Sequence, residues 1–481
     1  MSDSPLFGGV GRAAFYRPAR KRARDLFSKD AECFFSCDDV KYPVLDLSAS
    51  GFLFASPNGK VWNPGSEIKG QLILHGEPVL DSTVRVARVE ALARGCHVGV
   101  DAQQTLALSE MLELDAERTF TGALERGPAY YAEVLPSDYI AAVNEIKDFL
   151  LFYRPLMDRE ESRLRSKANS QLLLRELAEK SFGTLQRAWR QLVVNASRAG
   201  WKLREDAKVH HVAKRYTEAT ITPLLEDVPI VRRAWTKPLG YAGDYHIMEY
   251  YYRDEFEGST IFDQVMHRLL VQNPMARGVV TRARFVVDIL DAEHERWANG
   301  GKSGFAVANL GCGPGREVEM WAKTKPDRGP VTWTLIDQEE EALALAHSIG
   351  HGAVRQTQRS GELKLLHLSF SKLLRHPEAF NFEDQNYIFS SGLFDYLRQE
   401  RAQVITKALY DRLVPGGLLA IGNAIGPNTN LWPPEFVADW PILYRSKDEM
   451  EGIAALLPET AEVQVVVEPG EAYYFLLVRK G

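Results

Sequence analysis

Nine residues from Asn309 to Glu317, Asn-Leu-Gly-Cys-Gly-Pro-Gly-Arg-Glu, set three alternate glycines between an apolar run and a helical start. Gly311, Gly313 and Gly315 let the backbone turn tightly and approach a ligand with no Cβ in the way. A plain glycine turn is the alternative. The dinucleotide fingerprint needs Gly or Ala at the last position of G-x-G-x-x-G/A, where Arg316 stands, so a nicotinamide cofactor is disfavoured. A P-loop is excluded because no Gly-Lys-Ser/Thr follows. A second chemical cluster runs from Trp235 to Tyr252, with Pro238, Gly240 and Gly243 among Lys237, Tyr241, Asp244, Tyr245 and His246. It reads as an ordered loop entering a helix at Asp244, and such loops often carry function. The alternative makes Asp244 an N-cap and the tyrosines core. A third cluster lies near the start, where Arg20-x-x-x-Arg24 precedes Asp46-Leu-Ser48-Ala-Ser-Gly51.

These residues must be held by elements that the sequence also outlines. The 481 residues are 45% hydrophobic and 25% charged with net charge −6, a globular balance long enough for about three domains. That excludes a disordered tail, a collagen-like repeat and a disulfide scaffold, and it offers no global electrostatic case for nucleic acid. Four cysteines cannot staple a secreted fold, and the first residues lack an apolar core of signal-peptide length; both point to the reducing cytoplasm. No apolar run reaches the roughly 18 residues of a membrane span. Cys33 and Cys37 have no second pair for zinc and are expected in or beside a strand; no metal site is expected.

The predicted architecture is multi-domain. Six short β-rich runs between Ala31 and Ala102, separated by turn residues, predict a small antiparallel β-barrel over residues 1–125, preceded by a basic arm. From about Ser137 the apolar period becomes helical, predicting a helical connector that carries the Trp235–Tyr252 loop within residues 126–275. Beyond that, over 276–481, strands and helices alternate five times and end in two strands flanking Pro-Gly-Glu-Ala. This predicts an α/β doubly wound, seven-stranded sheet closed by an antiparallel hairpin.

The glycine loop in that setting resembles motif I of class I S-adenosylmethionine-dependent methyltransferases. The resemblance implies that Gly311, Gly313 and Gly315 pack under the methionine portion and ribose of S-adenosylmethionine. It makes Asp337, at the end of the next strand, a bidentate partner for the ribose hydroxyls, although Asp337 can equally cap the following helix. Ser369 and Phe370 fall where such enzymes hold adenine; Phe370 as core is the alternative. Ser391, in Ser390-Ser-Gly-Leu-Phe-Asp-Tyr396, is expected on the rim facing the methyl group, with Tyr396 among the catalytic residues. The family usually has Asp or Glu at the position of Asn309, so here a negative charge beside the ligand's ammonium and sulfonium is lost.

Lys237-Pro-Leu-Gly-Tyr-Ala-Gly-Asp-Tyr245 resembles a signature of methyltransferases of 3-hydroxypalmitic acid methyl ester biosynthesis, which implies carboxyl methylation of a 3-hydroxy fatty acid or similar lipid. A carboxylate is already ionised at neutral pH, so positioning and desolvation are needed rather than a strong base. Tyr241, Asp244, Tyr245 and His246 are the candidate positioning and catalytic groups, and Lys237 can neutralise the acceptor. Trp432, Phe436, Trp440 and Tyr444 form either an acyl channel or a buried lid core.

The N-terminal cluster resembles the R-x-x-x-R and D/N-x-S-x-x-G motifs of PilZ domains. The resemblance implies cyclic di-GMP bound by Arg20, Arg24, Asp46, Ser48 and Gly51, arginine forks meeting phosphate and guanine while Asp46 accepts from guanine N–H groups. Two rivals share the fold: a methyltransferase acting on a protein or polar metabolite, and a cyclic di-GMP effector whose methyltransferase-like domain is a non-catalytic interaction module. Cofactor titration separates the module from the enzymes.

Overall fold

The computed structural model describes residues 21–28, 31–57, 60–91, 95–301, 303–324, 329–356, 361–368, 370 and 382–481. The chain divides into two compact units, Met1–Tyr130 and Tyr131–Gly481.

In the first unit, β1 (Lys21–Arg22) is followed by six barrel strands, β2 (Cys33–Cys37), β3 (Val40–Ser48), β4 (Gly51–Ser56), β5 (Glu67–Leu74), β6 (Glu77–Ala91) and β7 (Cys96–Ala102). The order β3-β2-β5-β6-β7-β4 closes because β4 pairs back onto β3, so no long edge is left open. Period-two burial builds the interior: Phe35, Phe52 and Phe54 are fully buried, with ring centroids 5.1 and 5.2 Å from Phe35. Cys33 and Cys37 lie in β2 as buried free thiols, as expected. Helix α1 (Leu108–Val134) follows, broken at Gly127, where φ is 43°. Its Asp115 accepts from Ser28 N–H at 2.7 Å and Ser28 Oγ at 2.8 Å, and lies 2.6 Å from His75 Nε2. The end of the basic segment is thus tied to α1.

The second unit begins with the long helices α2 (Ser137–Arg165) and α3 (Ser170–Lys202). Shorter helices follow, among them α4 (Pro229–Thr236) and α5 (Tyr245–Arg253), then α6 (Ile261–Val271) and α7 (Pro274–Asn299). The sheet comprises β8 (Ala306–Leu310), β9 (Val331–Asp337), β10 (Gly361–His367), β11 (Gln385–Ser390), β12 (Leu413–Ala424), β13 (Glu462–Val467) and β14 (Tyr473–Arg479). Its order is β10-β9-β8-β11-β12-β14-β13, with β14 antiparallel to both neighbours and the other pairs parallel. This is the doubly wound, seven-stranded arrangement expected. The order reverses between β8 and β11, and ligands of open α/β sheets bind outside the carboxyl ends of the strands at such a point. The glycine loop leaves β8 there, and Ser391 leaves β11. No helix among the described residues is long and apolar enough to cross a membrane.

Gly51 shows how tightly the barrel closes, because a Cβ added to it would lie 2.1 Å from the Val100 carbonyl oxygen. Gly51→Ala is expected to destabilise the barrel by about 1–3 kcal/mol, the cost of overpacking. Faster hydrogen exchange along β4 and β7 in the full-length protein checks this; unchanged exchange contradicts it.

Candidate active site

Leaving β8, the chain turns through Gly311, Gly313 and Gly315, all left-handed with φ of 73°, 50° and 61°. An L side chain costs roughly 1–2 kcal/mol at each such residue, so the alternation of glycine is a backbone requirement. The loop is tied to the end of β9. Gly311 and Cys312 N–H donate to the Ile336 carbonyl at 2.8 and 3.1 Å. Asp337 Oδ2 accepts the Gly313 N–H at 2.8 Å, and Oδ1 accepts the Glu339 N–H at 3.1 Å. Asp337 therefore caps the chain entering α8 (Glu340–Gln356) and also holds the glycine loop. Burial pushes its carboxyl upward, opposed by the N–H groups of Gly313, Glu339 and Gln338. A carboxylate accepts about four hydrogens, so these three leave one position for a ligand hydroxyl, fewer than a bidentate contact takes.

The three glycines do different work. A Cβ on Gly315 would lie 2.8 Å from Ala346 Cβ, so this glycine seats the loop on α8. A Cβ on Gly313 would meet nothing within 4 Å among the described residues, so Gly313 faces open space among them. One on Gly311 would lie 3.5 Å from Leu393 Cβ and 3.7 Å from Phe370 Cζ, which brings Phe370 to the loop. Ser369 lies outside the described residues.

Asn309 is buried at the end of β8, and its Nδ2 donates to Glu317 Oε2 at 3.4 Å. Sequence reasoning passed over Glu317, whose carboxyl burial pushes up to about 7. An acidic group therefore does stand beside the loop, supplied by the first turn of α9 (Arg316–Thr324) rather than by β8. Its signal in the sequence was an acid two residues past the last glycine. Ser391 Oγ is buried just past the end of β11 with no hydrogen-bond partner among the described residues, whereas neighbouring Ser390 Oγ donates to the Leu310 carbonyl at 2.8 Å.

The Trp235–Tyr252 segment comes to the same end of the sheet. Tyr241 bonds through its side chain to Gln338 beside Asp337, and burial raises its phenol. Tyr245 Oη donates to Glu341 Oε2 at 2.9 Å. A Cβ on Gly243 would lie 2.5 Å from Tyr396 Oη and 2.4 Å from the Trp440 ring, while Trp440 Nε1 donates to Tyr396 Oη at 2.7 Å. Arg316 joins the two motifs, its Nε donating to Glu249 of α5 at 2.8 Å.

Other residues of the segment are otherwise engaged. Asp244 is 1% exposed; it caps α5 through the N–H groups of His246 and Ile247 at 3.0 and 3.1 Å and takes Arg233 Nε at 2.8 and 2.9 Å. Its oxygens are committed to holding the loop. His246 is exposed, its ring tilted against Tyr245 with centroids 4.3 Å apart, and partial desolvation with nearby Arg233 lowers its pKa. Lys237 Nζ lies 2.5 Å from Asp439 Oδ2, which occupies the charge meant for an acceptor. Trp432 and Phe436 are fully buried, Trp432 Nε1 donating to Tyr139 Oη at 3.3 Å and Phe436 packing on Tyr139 at 5.5 Å. Both belong to the hydrophobic core shared with Tyr139 of α2.

In the barrel, Arg22 pairs with Asp46 and Lys21 with Leu47 in antiparallel register, which lays the basic segment along the strand that carries half-buried Asp46. Ser48 is buried, and its Oγ donates to the Gly51 carbonyl at 3.2 Å, fixing the β3–β4 hairpin. Arg24 lies in the one-turn helix Ala23–Leu26; Arg20 lies outside the described residues.

No family model and no curated protein matches the chain. Solved structures it is similar to include a possible exported protein of Bordetella parapertussis (14% identity, 61% of this chain, 96% of that one, TM-score 0.39). Another is the magnesium protoporphyrin IX methyltransferase of Synechocystis PCC 6803 with bound S-adenosylhomocysteine (13% identity, 53% and 100%, TM-score 0.35). A third is an N-methyltransferase of Bradyrhizobium japonicum WM9 with the same ligand (16% identity, 44% and 89%, TM-score 0.27). Likeness at this level says nothing of substrate, and the function below rests on this chain's own geometry. The strand order defines a doubly wound, seven-stranded α/β domain, and the chain carries an antiparallel barrel before it.

Two outcomes follow from the loop. Gly313→Ala is expected to fold with a stability loss near the 1–2 kcal/mol of left-handed strain while losing S-adenosylmethionine affinity. Gly315→Ala is expected to lose more stability, because it adds a clash with α8. Calorimetry and denaturant unfolding check the pair; equal losses in both variants contradict the division of labour. Glu317 gives a pH signature. Its folded pKa is raised, so the native state binds the extra proton, and stability falls as pH rises from about 4.5 to about 7. At roughly 1.4 kcal/mol per unit the loss is on the order of 3 kcal/mol, and Glu317→Gln is expected to flatten that part of the profile.

Proposed function

We propose that the chain is an S-adenosylmethionine-dependent methyltransferase that methylates the carboxylate of a 3-hydroxy fatty acid or similar lipid, under control of cyclic di-GMP bound at the barrel. One observation carries the methyltransferase reading: at the switch point of the sheet, a loop of three left-handed glycines is pinned to the end of β9 by Asp337 through Gly313 and by the Ile336 carbonyl, and among the described residues Gly313 faces open space and the buried Ser391 Oγ has no partner. That donor set suits S-adenosylmethionine, with Gly313 under the ligand, Asp337 toward a ribose hydroxyl, and Asn309 with Glu317 toward its positive charge. Phe370, against Gly311, suits the adenine side. When bound, S-adenosylmethionine supplies an electrophilic methyl group.

The acceptor assignment is supported by the meeting of two motifs far apart in sequence, where Gly243 packs on Tyr396 and Trp440. Tyr396, 44% exposed, presents its ring at this junction, and Tyr241 closes the approach beside Asp337. These side chains desolvate and orient a carboxylate that needs no base. The effector assignment is supported by the basic segment lying along Asp46 and by Ser28, which ties that segment to Asp115 of α1. A ligand held against that segment thereby gains a mechanical route to α1 through Ser28.

Incubation of the protein with labelled S-adenosylmethionine and a lipid extract, read by mass spectrometry, tests the reaction. Labelled methyl esters are expected; label in protein or in polar metabolites alone defeats the lipid assignment, and no S-adenosylmethionine binding defeats the enzyme. Tyr396→Phe is expected to lower turnover at unchanged cofactor affinity, while His246→Ala, on the exposed side of α5, leaves turnover within about twofold. For the effector, Asp46→Ala is expected to weaken cyclic di-GMP binding and narrow its preference over the adenine analogue, and added salt to weaken binding in the parent protein. Calorimetry showing no cyclic di-GMP binding to the parent protein removes the effector reading.

A further inference from the structure

Arg282, on α7, is a cation that neither the glycine loop nor Asp337 uses. It is 8% exposed, and its one ion-pair partner among the described residues is Asp395, with Nη1 3.6 Å from Oδ2. That separation is too long for a charge-assisted hydrogen bond. The guanidinium lies over the Tyr473 ring at 4.5 Å. It also packs on Gly392, where an added Cβ would lie 2.6 Å from Nη2 and 3.1 Å from Cζ. Only glycine at 392 admits it. Asp395 is a weak counter-ion: its Oδ1 accepts the Ala424 N–H at 2.8 Å, and burial holds its carboxyl up to about 6. Ser391, the residue before Gly392, adds a second under-used donor in its buried Oγ.

A guanidinium has five N–H donors in one plane, and leaving them unpaired in the interior is costly. The buried guanidinium, with the unbonded Ser391 Oγ one residue from the Gly392 on which it packs, stands where β8 and β11 diverge and matches a planar anion with two oxygens. We propose that Arg282, with Ser391 beside it, binds the carboxylate of the methyl acceptor and sets its orientation. This assignment rests on the carboxyl methylation proposed above. It gives Arg282 the role that the sequence offered to Lys237, which Asp439 holds. Arg282 is a binding residue for the acceptor alone, so the cofactor is held without it.

The test is calorimetric titration of the full-length protein, loaded with S-adenosylhomocysteine, against 3-hydroxydecanoate and its uncharged primary amide. The parent protein is expected to bind the acid at least tenfold tighter than the amide. Arg282→Gln is expected to bind the two alike, with S-adenosylhomocysteine affinity unchanged as evidence of an intact fold. Arg282→Lys, which keeps the charge without the fork, is expected to retain part of the preference. Gly392→Ala, which displaces the guanidinium while leaving the charge, provides a second route and is expected to lose the preference too. An undiminished preference in Arg282→Gln, or in Gly392→Ala should Arg282→Gln not fold, overturns the assignment. Methyl-ester formation with unchanged KM in that same variant overturns only Arg282, whereas a parent protein that esterifies no carboxylate overturns the acceptor reading and this assignment with it.

Discussion

The hydrogen bond from the Gly313 N–H to the Asp337 carboxylate fixes the geometry on which the rest of the crevice depends. It joins the loop leaving β8 to the end of β9. With the Ile336 carbonyl taking two more N–H groups, the loop has little freedom to collapse into the space above Gly313. Glycine is required at three alternate positions because the backbone is left-handed at each of them, and a side chain on Gly315 would also meet Ala346 at a distance no Cβ tolerates. A carboxylate buried for this purpose is costly, which is why backbone N–H groups surround it.

Around that junction the charges are arranged by burial. Glu317 replaces, from α9, the acidic group that Asn309 does not provide from β8, and Arg282 with Asp395 forms a loosely paired centre at the end of β11. Arg316 is anchored by Glu249, so the first turn of α9 and the helix after the Gly-Tyr-Ala-Gly loop are fixed to each other. Tyr241 beside Gln338 and Gly243 against Tyr396 then place the loop over the carboxyl ends of β9 and β11. A segment of this kind can shield a reaction from water without supplying a base.

Much of this was legible in the residues. β-rich runs bounded by turn residues located all six barrel strands, and the strand–helix alternation located five strands of the sheet with its closing hairpin, whose central strands are apolar runs because both their faces are buried. The glycine loop was legible since nothing but glycine satisfies its backbone. Helix α1 was not: Gly127 and Pro128 interrupt its apolar period. The site was less legible where pairing across the chain decides a role. Lys237 looks available in sequence and is claimed by Asp439, 202 positions away. Asp244 looks catalytic and is an N-cap held by Arg233, while Glu317 and Arg282 look like ordinary helical surface charges and are buried. Pairing and burial across the chain, which a linear pattern does not encode, set each of these environments.

Hydrogen exchange of the full-length protein with and without S-adenosylhomocysteine, with NAD as a parallel ligand, tests the central claim most directly. S-adenosylhomocysteine is expected to protect the amides of Gly311–Gly315 and the end of β9, together with the Gly240–Tyr245 segment, and NAD to protect none of them. Equal protection by NAD, or protection confined to other parts of the chain, would contradict that claim.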